Sequence, residues 1–247
     1  MAKVLVTRAM PEAEDTARDL VALGHIPILA PLRHAEAVMT PLPSQIPDGV
    51  IATSRNAFQH GPSFPPEWES LPVWCVGEKT AEAARMAGFS VIFVADGDAI
   101  ALARQILAAR PMPRRMLYLA GEPRGDALET SLRAEGVDLD VVLRYRMKRL
   151  PALPKAAHAA LADSDIDAIL HFSAESARAF FALAHAAGLV KAASRPWHCC
   201  LSSAVAEAAI EAAGRPLKTI IASKPTGFSL VEAITTQCGG SALCKGD

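Results

Sequence analysis

The feature that most constrains this chain is that it repeats itself. "KVLVTRAMPEAEDTARDLVALGHIPILAPLR", Lys3 to Arg33, matches "RMLYLAGEPRGDALETSLRAEGVDLDVVLRY", Arg115 to Tyr145, as apolar strand, small polar turn, amphipathic helix, Gly stop and second strand. "DGVIATSRNAF", Asp48 to Phe58, likewise matches "DAILHFSAESARAF", Asp167 to Phe180, and "TAEAARMAGFSVIFVA" matches "VAEAAIEAAGRPLKTIIA". Written as units, the chain runs A, B, A, B. Each copy must solve the same burial problem, so the fold has to be one that can be built twice.

Within unit A, Pro11 and Glu12 suit a first helical turn, Ala13, Ala17, Leu20 and Val21 recur at helical spacing, and Gly24 supplies a left-handed stop. Leu128, Leu132 and Gly136 do the same in the second copy. Unit B reads strand, helix, strand ("VWCVG"; "HCCLS"), helix ending at Gly88 or Gly214, strand ("VIFVA"; "TIIA") and a last helix. Short, wholly apolar strands alternating with helices predict a parallel sheet covered on both faces. One A plus one B gives about five strands, enough for one doubly wound domain. Two such domains fit 247 residues, 51% of them hydrophobic. The fold class is therefore α/β: two similar flavodoxin-like parallel-sheet domains from an internal duplication. Pro-studded connectors, "HAEAVMTPLPSQIP" and "RMKRLPALPK", separate A from B in both copies, which would let the middle B–A segment close on itself as an inserted domain. "ARPMPRR" between B and A is also Pro-rich, so a tandem arrangement stays open on pattern alone.

Lys plus Arg, 25, nearly balances Asp plus Glu, 26, so no overall field draws the chain to nucleic acid or an acidic membrane. Any anion site must be built locally. "KVLVTR" begins at residue 3, leaving no room for a signal core, and no apolar stretch reaches transmembrane length, so a cytoplasmic protein is expected. Five cysteines at irregular positions make no disulfide framework and no zinc pattern. Cys75, Cys199 and Cys200 read as core, and Cys238 and Cys244 fall in a tail, "QCGGSALCKGD", expected to be frayed.

In open parallel sheets ligands bind beyond the carboxyl ends of the strands, where helix N-termini point N–H groups outward. The residues there are Thr7 and Arg8, Thr53 to Arg55, Gly77 to Thr80, Gly121 to Arg124, Ser173, Ser202 and Ser203, and Ser223 to Thr226. Small hydroxyl residues, glycine and single cations dominate, as helix capping and carboxylate or phosphate binding both require. Singly, each Ser or Thr is an N-cap; their recurrence at nearly every strand end points to a polar cleft. A nucleophilic Ser173 would need a base, an orienting acid and the glycines of a nucleophile elbow, but it is flanked by Phe172 and Ala174. His171, two residues back, has Ala52 as its counterpart and reads as packing. There is no G-x-x-x-x-G-K-[ST], and "GEPRGD" is not G-x-G-x-x-G. Tyr145 is one of only two tyrosines and stands among Arg144, Arg146 and Lys148 in "LRYRMKR". Pattern alone allows it to be an amphipathic edge residue or a phenol poised for acid-base work.

Taken together, these segments resemble the uroporphyrinogen-III synthase family, which closes the tetrapyrrole ring in haem, sirohaem and cobalamin biosynthesis. The matching residues are "VLVTR", "DGVIATSRNAF", "VGEKTAEAARMAGF", "LYLAGEPRGDALETSLRAEG", "VLRYR", "DAILHFSAESARAF" and "KPTGFSLVEAI", in the family's order over residues 4 to 234. The resemblance implies two α/β domains joined by two extended strands: residues 1–34 and 150–247 in domain one, 37–146 in an inserted domain two, and the substrate between them. It implies cyclisation of linear hydroxymethylbilane with loss of water and inversion of pyrrole ring D through a spiro intermediate, a hydro-lyase reaction without cofactor or metal. Carried over by position, Tyr145 matches the tyrosine proposed to assist hydroxyl departure. Ser54, Thr80, Ser173 and Thr226 match cleft-lining positions, Ser202 stands at another strand end, and Arg8, Arg124 and Lys224 are the expected carboxylate partners. Ser54 and Ser173, twins in the repeat, would then present helix N-termini to one polycarboxylate from different domains. A monomer is implied, with hydroxymethylbilane as small-molecule partner, transient contact with hydroxymethylbilane synthase, and neither nucleic acid nor membrane. Two places depart from the family pattern: "LSSAV" stands where the first copy has "VGEKT", and "TRAM" where the family has Thr-Arg-Pro. The competing reading is a two-domain anion-binding or regulatory protein without chemistry.

Overall fold

The structure, a computed structural model, describes residues 1–239. Strand β1 (Lys3–Val6), helix α1 (Glu12–Ala22) and β2 (Ile26–Leu29) come first, and β3 (Arg33–Ala37) leads away from them. Next come β4 (Gly49–Ala52), α2 (Asn56–Gln59), a short 3₁₀ turn (Pro66–Trp68), β5 (Pro72–Val76), α3 (Glu78–Met86), β6 (Val91–Ala95), α4 (Ala99–Ala108), β7 (Arg115–Glu122), α5 (Ala127–Ala134) and β8 (Asp138–Arg149). The chain ends with α6 (Lys155–Ala162), β9 (Ala168–His171), α7 (Ala174–Ala186), α8 (Val190–Ala193), β10 (Trp197–Cys200), α9 (Ser203–Ala213), β11 (Lys218–Ile221) and α10 (Gly227–Gly239). It divides into two compact units: unit 1 holds Met1–His34 and Arg149 onward, unit 2 holds Ala35–Lys148.

Unit 1 has a five-stranded parallel sheet in the order β2-β1-β9-β10-β11. Unit 2 has a six-stranded sheet in the order β3-β8-β7-β4-β5-β6, parallel from β8 to β6. Set β3 aside and the two orders correspond repeat by repeat: β1 and β7 open the A units, β2 and β8 close them, and β9, β10, β11 stand where β4, β5, β6 stand. Unit 1 runs A before B and unit 2 runs B before A. The central pairing joins the first strand of A to the first strand of B in both sheets.

The uniformly apolar strands have their cause in the layering. Along β7, Met116, Tyr118 and Ala120 join Leu102, Ile106, Leu128 and Leu132 on the α4 and α5 side, while Leu117 and Leu119 join Trp68, Ala81, Ala84 and Phe89 on the other. Successive side chains alternate faces, so a sheet covered on both sides demands an apolar residue at every position. Unit 1 repeats this: Val4, Val6 and Leu170 pack against Leu20, Leu230 and Ile234, whereas Leu5 and Ile169 pack against Leu161, Phe181 and Ala209. Full burial of a Leu or Ile side chain here is worth about 1.5–3 kcal/mol.

Gly24 and Gly136, the matched helix stops, both have φ of +79°. The apolar stripe of α1 is narrower than its spacing predicts: Ala13, Thr16 and Leu20 are buried, but Val21 is 61% exposed. Val21 lies about 100° around the helix from Leu20, past the edge of the contact. The connector "HAEAVMTPLPSQIP" is not all loop, because its first residues belong to β3, which lies beside β8 with Val38 N donating to Arg144 O (2.8 Å). "RMKR" likewise continues β8 to Arg149. Gln237–Gly239, expected to be frayed, form the end of α10, and Cys244 lies outside the described residues. Cys75, Cys199 and Cys200 are buried and form no disulfide, and burial pushes Cys75 and Cys200 up to about 12. Cys75 and Cys200 thus have no thiolate to offer at neutral pH.

Candidate functional site

The site in unit 2 begins with a register slip. Strands β7 and β8 pair in step as far as Ala120 and Leu143, after which Gly121 pairs with Tyr145 and Glu122 with Arg146. Arg144 is the extra residue of a β-bulge, a device that re-aims side chains. In an unbroken strand Val142 and Tyr145 would face opposite sides; here they join the same cluster. Arg144 turns into the protein, only 1% exposed, where its Nε donates to Ala57 O (2.9 Å), its Nη1 donates to Pro62 O (2.7 Å), and its guanidinium lies 4.5 Å over the Phe64 ring. Burial lowers its pKa to about 10, which leaves it charged at neutral pH. It thus ties the segment after β4 to β8. His60, in that segment, brings its ring centroid 6.0 Å from that of Tyr145. Burial, and then the Arg144 charge, hold His60 below the usual imidazole range, so it is neutral at pH 7.

Tyr145 itself is 9% exposed and lies across β7 at Gly121. A Cβ on Gly121 would overlap the phenol ring, with Cε1 2.6 Å away. Beside it is a pocket of about 310 Å³ lined by Thr53, Ser54, Tyr118, Gly121, Arg124 and Tyr145, among others. Thr53 Oγ1 and the Tyr118 hydroxyl are hydrogen-bonded at 3.0 Å, and Ser54 Oγ accepts from Asn56 N at 3.3 Å. Arg124 Nε donates to Glu129 Oε1 (2.7 Å), and Glu129 Oε2 accepts from Arg133 (3.2 Å). That leaves both Nη groups of Arg124 for a ligand. No carboxylate lines the pocket, so its polar groups favour an anion.

In unit 1 the carboxyl ends of the strands carry a second set. The Arg8 guanidinium lies 4.3 Å over the Phe172 ring, and Gly227, which opens α10, is beside both. Ser173 caps α7: its Oγ accepts from Ser176 N (3.1 Å) while its own N–H donates to Ser176 Oγ (3.2 Å). Thr226 Oγ1 accepts from Ser229 N (3.2 Å), and Ser229 Oγ accepts from Lys224 N (3.3 Å). Ser202 opens α9 in an extended conformation with no side-chain capping bond. Glu175, in the first turn of α7, is held by Arg149 (2.7 Å) and Arg33 (3.0 Å), and these bonds keep its carboxyl below the usual range.

The family model for the uroporphyrinogen-III synthase HemD matches residues 14–232. The chain belongs to the uroporphyrinogen-III synthase family. Among solved structures it is similar to uroporphyrinogen-III synthetase from Helicobacter pylori, at 17% identity over 96% of this chain and 100% of that one, with a TM-score of 0.59. A mutant uroporphyrinogen III synthase from Thermus thermophilus matches at 18% identity over 97% and 99% of the two chains, with a TM-score of 0.50. Likenesses at these identities are likenesses of fold. No curated protein matches the sequence.

Ser54, Arg124 and Tyr145 line one pocket of unit 2, and Arg8, Ser173, Ser202, Lys224 and Thr226 lie at strand ends of unit 1. Thr80 departs from expectation. Because α3 starts at Glu78, Thr80 falls on its inner face beside Ala81 and Ala84, and it is 5% exposed. The cationic surround of Tyr145 also dissolves: Arg144 points inward, Arg146 pairs with Glu122, and Lys148 approaches Glu36 at 3.8 Å. Gly121, expected in a turn, lies within β7. Tyr118 was not singled out, because a tyrosine in mid-strand reads as core; the available signal was that it is the chain's other tyrosine.

Proposed function

We propose that this chain cyclises hydroxymethylbilane to uroporphyrinogen III, with loss of water and inversion of ring D, each unit acting as a domain. The family match supports the activity, and the position of Tyr145 over Gly121, beside a pocket lined by donors, supports the site. The substrate carries acetate and propionate arms on every pyrrole. A chain with 25 cations against 26 acids holds such a polyanion only through local donors, and Ser54 and Arg124 in unit 2, with Arg8, Ser173, Ser202, Lys224 and Thr226 in unit 1, are those donors. The unit 2 pocket, at about 310 Å³, suits one pyrrole and its arms rather than the whole bilane.

The Tyr145 phenol gives its proton to the departing hydroxyl, which leaves as water while the electron pair of the terminal pyrrole nitrogen fills the broken C–O bond's place as a conjugated azafulvene cation. The substituted carbon of ring D then attacks, the spiro intermediate rearranges, and loss of a ring proton restores both the pyrrole and the phenol. Holding the ends of the bilane in position does most of this, since the bond-forming groups all belong to the substrate. With the activity go a monomeric, cytoplasmic enzyme and transient contact with hydroxymethylbilane synthase; among the described residues no helix is long and apolar enough to cross a membrane.

The test supplies porphobilinogen and a hydroxymethylbilane-producing deaminase, then separates the oxidised products by isomer. Type III should predominate when this protein is added. Type I alone, with the protein in excess, would reject the synthase reading in favour of a non-catalytic anion-binding protein.

A further inference from the structure

We propose that Thr53 and Tyr118 act as one unit, a paired hydroxyl donor that selects a carboxylate arm of the substrate in the unit 2 pocket. The inference rests on the synthase reading for the identity of the ligand, but its geometry stands on its own. Tyr118 is fixed in the middle of β7, 3% exposed, packed among Ile51, Ala120 and Leu128, so its hydroxyl has no freedom to swing elsewhere. That hydroxyl meets Thr53 Oγ1 at 3.0 Å, at the carboxyl end of the neighbouring strand β4.

A proton count follows from the pairing. Two hydroxyls carry two hydrogens, and the bond between them uses one. The phenol is the more acidic O–H, so it donates to Thr53 Oγ1, and the threonine hydrogen is left for a ligand. Burial raises the Tyr118 pKa above its ordinary value, which keeps the phenol protonated at neutral pH and the pair intact. A donor that is itself accepting a hydrogen bond is polarised and donates more strongly. The pocket sets what it donates to: Ser54, whose Oγ already accepts from Asn56 N, keeps its own hydrogen, Arg124, with its Nε held by Glu129, presents its two Nη groups, and no carboxylate is among the lining residues. Hydroxyl hydrogens and a guanidinium around a small cavity describe a carboxylate receptor. Tyr118 is spent on Thr53, so its removal should weaken binding rather than slow the chemistry.

The experiment measures KM and kcat for type III formation with Tyr118→Phe, Thr53→Val, the double variant and Thr53→Ser. Thr53→Val should raise KM about tenfold, the cost of one hydrogen bond to a charged group, and Tyr118→Phe, which leaves the threonine hydrogen in place but neither polarised nor oriented, should raise it by a smaller factor, both with kcat unchanged. The double variant should be no worse than Thr53→Val alone, because Tyr118 acts on the ligand only through the Thr53 hydroxyl. Thr53→Ser, which keeps the hydroxyl, should restore the wild-type KM. Quenching of uroporphyrin III fluorescence on binding gives a readout that needs no turnover and should show the same order of weakening among the variants. Unchanged KM and unchanged porphyrin binding in the single variants would overturn the pair, as would losses that multiply in the double variant or a fall confined to kcat. If the wild-type protein makes no type III isomer, the synthase reading fails separately, and the porphyrin titration still decides whether the pair reads a carboxylate.

Discussion

Acid should destabilise unit 1 through two histidines that have no part in the site. His171 and His198 stand on adjacent strands β9 and β10, both wholly buried, their ring planes within 6° of parallel and meeting edge to edge with His171 Nε2 and His198 Nδ1 at 3.0 Å. One of those nitrogens donates and the other accepts, so the contact requires the accepting ring to be neutral and is lost when both rings are protonated. Around them lie Phe180 and Phe181, and His171 Nδ1 has no partner among the described residues. Burial pulls His198 down to about 4, and burial with the neighbouring His198 holds His171 well below the ordinary imidazole value. Both shifts have the same sign: the unfolded chain takes up protons near pH 6.5 and the folded one does not, so stability falls as pH drops below 6.5 and levels off only near the folded pKa. For His198 alone, moving from pH 7.5 to 4.5 costs about 2.5 kcal/mol, and His171 adds to it. Urea unfolding of unit 1 can be followed by pulsed hydrogen exchange on peptides from β9 and β10 at both pH values. His171→Leu/His198→Leu serves as the comparison, because Leu fills the same apolar space and titrates nothing, so contributions from carboxylates cancel in the difference. Wild type should lose at least about 2.5 kcal/mol more than the double variant. Parallel losses in the two proteins would refute the reasoning.

Further outcomes follow from single groups. Tyr145→Phe should lower kcat about a hundredfold, the low end for loss of a general acid, while the protein stays folded by circular dichroism. Gly121→Ala places a methyl against the Tyr145 ring and should cost about 1–3 kcal/mol in urea unfolding, with a matching fall in type III formation. Arg144→Leu leaves the Ala57 and Pro62 carbonyls without their buried donor; unit 2 should lose about 3 kcal/mol, with faster hydrogen exchange in residues 57–64. Ser173→Ala removes one half of a capping box and should cost about 1 kcal/mol in unfolding of unit 1 while Ser173→Asp, which can still cap, should not.

Much of the fold was legible because its signals are local. Wholly apolar runs such as "VLV" and "AIL" say that a strand is covered on both sides, and Gly24 and Gly136 mark helix ends through a backbone conformation that other residues enter at a cost. Val21 was misread because helical spacing tells which residues share a face but not how wide the contact on that face will be. Strand-end hydroxyls were found for the same local reason, since a Ser or Thr where a strand meets a helix has a capping geometry whatever the ligand. Thr80 shows the limit: its place in the first turn was readable, but whether that turn faces outward depends on what α3 packs against.

By itself, then, the sequence determined the duplication, the alternation of strands and helices, and the strand ends at which donors would gather. Tertiary structure alone decided where Tyr145 lies. Its neighbour Arg144 looked like part of a cationic surround, yet a one-residue slip against β7 turns Arg144 into the core and lays Tyr145 across Gly121. A slip of one residue reverses which face a side chain takes, and it is set by pairing between strands that a linear pattern does not contain. The Thr53–Tyr118 bond has the same origin, because its two hydroxyls are 65 residues apart in sequence and become neighbours only when β4 pairs with β7.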